Sequence, residues 1–137
     1  MASNKGMWVY SPPKKAKPKV PELLKKSVQE KADELIENTL KPIYIKAPPT
    51  DPRFNYLADI YSKWYRNYFH FCTTYNCPGE NAISPSFEAK FARMEYMGND
   101  KFNLSYMRHT NQWWELYQDL SLEDCFKLIV EQPHFHP

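Results

Sequence analysis

The chain has 137 residues, enough for one domain with a real core, and its 18 Lys/Arg against 16 Asp/Glu give a formal charge of only +2. It has no run of about eighteen apolar residues, so a transmembrane helix is excluded. Its three cysteines, an odd count, fit a reducing compartment better than a disulfide framework. The beginning, MASNKGMWVYSPPKK, is too polar and proline-rich for a signal peptide, so the expected location is the cytosol.

Residues 1–20 read as a basic, proline-rich arm. Pro12, Pro13 and Pro18 interrupt any helix and favour polyproline-like extension or disorder. Met7-Trp8-Val9-Tyr10 is too apolar for a purely solvated tail, so Trp8 and Tyr10 are expected to dock on the body or on a partner. Residues 1–21 hold Lys5, Lys14, Lys15, Lys17 and Lys19 and no acid. Without these five the chain has 13 bases against 16 acids, which assigns any general attraction to polyanions to the arm.

Residues 21–137 are expected to form a single α+β domain. Pro21 suits the first turn of a helix, and Leu24, Val28, Ala32, Leu35, Ile36 and Leu40 recur at helical spacing until Pro42 closes it. A short extended piece at 43–45 and a stiff connection through Pro48, Pro49 and Pro52 follow. From Phe54 the period changes to two: Phe54, Tyr56, Ala58, Ile60 and Trp64 share one face of a strand. Arg66-Asn67 is the expected tight turn, with asparagine tolerating the left-handed conformation, and Tyr68 to Tyr75 returns as a second strand.

After the loop NCPGENAISPS, a third strand runs from Phe87 to Met97, and Gly98-Asn99-Asp100 turns the chain. A fourth strand through Phe102, Leu104 and Tyr106 ends near His109, and a fifth covers Trp113 to Tyr117. Ser121-Leu-Glu-Asp124 has the form of a capping box opening a last helix with the stripe Leu122, Cys125, Phe126, Ile129 and Val130. Short turns between successive strands predict a five-stranded antiparallel meander, with the N-terminal and C-terminal helices on one face.

The stretches FEAKFARMEY, LSYMRHTNQWWELY and LSLEDCFKLIVEQP resemble a family of small bacterial proteins known as domain of unknown function 3024, over roughly residues 87–133. Members tend to finish in a Cys-Phe-Gly type of tail, whereas this chain finishes His134-Phe-His-Pro137. The resemblance implies a bacterial cytosolic domain and brings no established activity.

Four chemistries compete for the remaining signals. Cys72, Cys77, His134 and His136 would supply a Cys₂His₂ zinc set if the tail folds back over the end of the second strand; the bland reading is a buried thiol, a loop thiol and terminal imidazoles. Apart from zinc no cofactor is implied, because no phosphate loop, dinucleotide fingerprint or nucleophile elbow is present. An enzyme using His70, Arg108 and His109 on a small anionic substrate is the third-ranked function, behind two kinds of binding. The first is a non-catalytic accessory module that meets a protein partner, or a second copy of itself, through the arm and an aromatic sheet face. The second is RNA or single-stranded DNA binding by the same surfaces. Both draw on Trp8, Tyr10, Lys14, Lys15, Lys17, Lys19, Tyr65, Arg66, Arg93, Arg108, His109, Trp113 and Trp114.

Overall fold

A computed structural model describes residues 17–137. Helix α1 (Glu22–Leu35) starts from Pro21, whose carbonyl accepts the amide of Lys25 at 3.0 Å. Its inward stripe is Val28, Ala32, Ile36 and Leu40, every fourth residue, all buried. In a regular α-helix a spacing of four drifts by about 40° per step, so such a stripe would rotate off the core. Between Ile36 and Leu40 the chain widens into a π-turn, which rotates the stripe back, and α2 (Lys41–Tyr44) continues the same rod. Pro42 therefore does not end the helix, contrary to the sequence expectation. It lies inside this rod, directly after the π-turn, and only at Ile45 does the backbone become extended.

The five strands are β1 (Tyr56–Tyr65), β2 (Tyr68–Asn76), β3 (Ser86–Gly98), β4 (Lys101–Met107) and β5 (Trp113–Leu120). They lie in chain order in one antiparallel sheet, and α3 (Leu122–Glu131) follows. The fold is α+β, a meander with its helices on one side. The covered face carries Ile60, Phe69, Phe71, Met94, Phe102 and Leu104 against Val28, Ala32, Ile36, Leu40, Cys125 and Ile129. Burying side chains of this size stabilises by about 1.5–3 kcal/mol each in transfer terms. Two polar contacts fix α1 on β1: the Trp64 indole N–H donates to the Lys25 carbonyl at 3.1 Å, and Gln29 donates to the Ser62 hydroxyl at 2.9 Å.

Turn chemistry sets the register. The β1–β2 turn is Arg66-Asn67 as expected, but the residue with positive φ is Arg66 (55°), not asparagine. Asn67 is instead buried, and its carbonyl accepts the Tyr96 amide at 2.9 Å. The β3–β4 turn places Gly98 (φ 92°), Asn99 (51°) and Asp100 (58°) in the left-handed half of the map. Two successive positive values are the type I′ pattern, for which Asn-Gly is the favoured pair. Asp100→Gly is therefore expected to raise stability by about 0.5–1 kcal/mol, seen as a higher urea midpoint with unchanged slope. An unchanged or lower midpoint would refute that turn assignment.

Helix α3 opens as the capping box predicts, with the Ser121 hydroxyl accepting the Asp124 amide at 3.2 Å. The chain then makes a 3₁₀ turn at Pro133–Phe135 that plants Phe135 in the core. With the helices occupying one side, the opposite face of the sheet is left to its own side chains.

Candidate binding face

The face away from the helices is built from alternate residues of β1, β2 and β3, plus the start of β5. Register pairs Tyr65 with Tyr68, Lys63 with His70, and His70 with Arg93. Strict alternation would put Lys90 and Arg93, three apart, on opposite faces. A β-bulge removes the conflict. The β2–β3 register shifts between Phe71 and Cys72, and Phe91 and Ala92 both turn into the core. Lys90 and Arg93 then lie on the same side, flanking His70.

The result is a concavity of about 520 Å³ lined by Lys63, Tyr65, Tyr68, His70, Lys90, Arg93, Met107 and Trp113. Arg93 is its centrepiece. Its guanidinium lies 4.5 Å from the ring centre of Tyr68 and 4.8 Å from that of Trp113, a cation held between two π faces. The acids of this face are engaged by cations other than Arg93. Glu88 receives Lys63 at 3.1 Å, Lys90 at 3.4 Å and the Tyr61 hydroxyl, and Glu95 receives Lys17 at 3.1 Å. Among the described residues no carboxylate pairs with Arg93, and its Nε is buried without a partner.

His70 sits at the floor, 6% exposed, beside Trp113 at 5.6 Å and Tyr68 at 6.2 Å between ring centres. Its Nδ1 is also buried without a hydrogen-bond partner. Burial, reinforced by the charges of Lys90, Arg93 and Lys63, lowers its pKa to about 4, so the imidazole is neutral at pH 7. Cys72 shares the face but is fully buried, and burial raises its thiol pKa. No hydrogen bond joins the His70 imidazole to the Cys72 thiol among the described residues.

The other sequence candidates scatter. Trp8, Tyr10, Lys14 and Lys15 lie outside the described residues. Lys17 is described and reaches the rim of the concavity, where its ammonium donates to the Tyr68 hydroxyl and lies 4.7 Å from that ring's centre. Lys19 is exposed beside Arg66. Arg66 stacks on Tyr65 at 5.2 Å at the end of the β1–β2 hairpin. The Trp113-Trp114 pair divides: Trp113 joins the concavity, while Trp114 is half-exposed and carries Arg108 at 4.8 Å. His109 is exposed in the β4–β5 turn, so His70, Arg108 and His109 are not brought together as one lining.

The zinc donors are likewise apart in their surroundings. His134 packs on Tyr106 at 5.0 Å and His136 on Tyr44 at 5.4 Å, whereas Cys72 lies beneath the open face and Cys77 in the loop after β2. Among the described residues no three His, Cys, Asp or Glu side chains cluster as metal ligands would. No helix there is long and apolar enough to cross a membrane.

Sequence reasoning missed Lys63, Tyr68 and Lys90 as site residues. The alternation of β1 and β2 could have placed Lys63 beside His70; the bulge that brings in Lys90 has no marker in the sequence.

No curated protein and no solved structure matches the chain. The family resemblance seen over residues 87–133 extends much further, from residue 20 through α1, the whole sheet and the His134-Phe-His-Pro137 end. Over residues 20–137 the chain matches the family described as Domain of unknown function (DUF3024), and it belongs to that family.

Proposed function

We propose that the protein is a non-catalytic binding module of the bacterial cytosol that holds single-stranded nucleic acid on the open face of its sheet. The observation that carries this reading is Arg93, clamped between Tyr68 and Trp113 with no acid paired to it among the described residues, on a face shared with Lys63 and Lys90. Single-strand binders combine such stacking surfaces with cations that follow the backbone. The body as a whole is acidic, so a local cluster of bases is a selective feature rather than a share of the general charge. Lys17 ties the arm to the rim of the same concavity, and the arm's remaining lysines continue from that corner in sequence.

The aromatic residues of this face also suit a protein partner or a second copy. The segregation of Lys63, Lys90 and Arg93 around one concavity favours a polyanion over those. The test is fluorescence anisotropy with a labelled single strand and its duplex. The single strand is expected to bind more tightly, with a log–log salt slope of about −2 to −3 for three or four phosphate contacts. Absence of binding to the single strand at low salt would sink the reading, and light scattering that shows a dimer closing this face would replace it.

A further inference from the structure

Resting on that reading, we propose that the concavity around His70 and Arg93 is a subsite for one nucleotide bearing a phosphomonoester: Arg93, Lys63 and Lys90 take the phosphate, and Tyr65 and Trp113 take the base. The volume, about 520 Å³, falls in the range of small-ligand pockets and suits a single nucleotide rather than a length of strand.

Charge selects the kind of phosphate. Lys63, Lys90 and Arg93 face one acid, Glu88, while Lys17 and Glu95 offset each other at the rim. Two positive charges are left in excess. A phosphomonoester carries about −1.5 to −2 at neutral pH, whereas each internal phosphodiester carries only one negative charge. The excess therefore matches a terminal phosphate.

The buried polar atoms point the same way. His70 and Arg93 are paired in register on neighbouring strands, and each has a side-chain nitrogen without a partner. Unsatisfied buried groups are a standing cost in a folded protein, and an arriving oxyanion removes it at Arg93, whose N–H groups only donate. The rings of Tyr68 and Trp113 cover the guanidinium from both sides, so it is held in one plane before the ligand arrives.

A phosphomonoester of this kind comes either from a free mononucleotide or from the phosphorylated end of a strand. Calorimetric titration of the full chain with adenosine monophosphate, adenosine, inorganic phosphate, and 5′-phosphorylated and 5′-hydroxyl hexanucleotides separates them. The monophosphate is expected to bind about ten- to a hundredfold more tightly than adenosine, and the phosphorylated strand more tightly than the hydroxyl strand by a similar factor. Arg93→Gln should erase both differences. If that variant does not fold, the double variant Lys63→Gln, Lys90→Gln carries the test, because its side chains are partly exposed.

Equal binding of the two strands, with no preference for the monophosphate over adenosine, overturns the subsite and leaves the single-strand reading standing. Binding of the monophosphate with neither strand bound assigns a free nucleotide and overturns the single-strand reading instead. No binding of any probe overturns both.

Discussion

Replacing Phe135 with alanine is expected to lower the stability of the domain by about 3–5 kcal/mol, the range for a fully buried phenylalanine whose cavity cannot collapse. Phe135 is two residues from the end of the sequence, yet its side chain is fully buried. A 3₁₀ turn holds it there, with the Phe135 amide donating to the Gln132 carbonyl and the His136 amide to that of Pro133, both at 3.1 Å. The Tyr106 ring meets Phe135 edge-on at 6.4 Å and His134 at 5.0 Å, and His136 reaches Tyr44. The tail therefore joins α2 to β4 across the core. Urea denaturation followed by tryptophan fluorescence should show the midpoint falling sharply with little change in slope. His134→Ala and His136→Ala, at exposed positions, should each cost under about 1 kcal/mol. A Phe135→Ala loss no larger than theirs would mean that the tail is not part of the folded core.

That burial marks the limit of what the sequence displayed. The meander was legible because successive apolar-rich strands are joined by short turns such as Gly98-Asn99-Asp100 and Arg66-Asn67. The α3 cap was legible because Ser121 and Asp124 have the right spacing for one hydrogen bond. Three things were not. The π-turn after Leu35 carries helix past Pro42, because the core rewards a stripe of Val28, Ala32, Ile36 and Leu40 that a regular helix would misalign. The final residues read as terminus because a lone phenylalanine between two histidines has no periodicity to identify it. The binding face was half legible: Tyr65, Arg93 and Trp113 stood out by type, but their union with Lys90 depends on a bulge. A bulge is one extra residue in one strand of a pair, and here no residue type marks its place.

The deepest consequence of that face is a pH-dependent stability centred on His70. An unperturbed histidine has a pKa near 6.5, and in the folded protein burial, with the charges of Lys90, Arg93 and Lys63, lowers it to about 4. The unfolded chain therefore takes up a proton between about pH 6.5 and 4 that the folded protein refuses, so stability is full above 6.5 and falls as pH drops through this window. At pH 4.5 the loss assigned to His70 is roughly 2–3 kcal/mol. His70→Phe keeps an aromatic ring among Tyr65, Tyr68 and Trp113 and removes both the titration and the unpartnered nitrogen. The variant should be more stable than the parent at pH 4.5 by about that amount over any difference at pH 7.5. The carboxylates facing the site, Glu88 and Glu95, and those beyond it titrate in both proteins, so the difference between the two denaturation series isolates the imidazole. Identical pH profiles would show that His70 is hydrated or paired in solution. The three cations link this measurement to ligand binding: burial is the main cause of the lowered pKa, and an anion seated among the cations offsets the smaller share that they contribute. A bound phosphate should therefore raise the His70 pKa above about 4 by that share. Histidine NMR titration with and without adenosine monophosphate reads the shift directly, and an unchanged His70 pKa would place the anion away from the three cations.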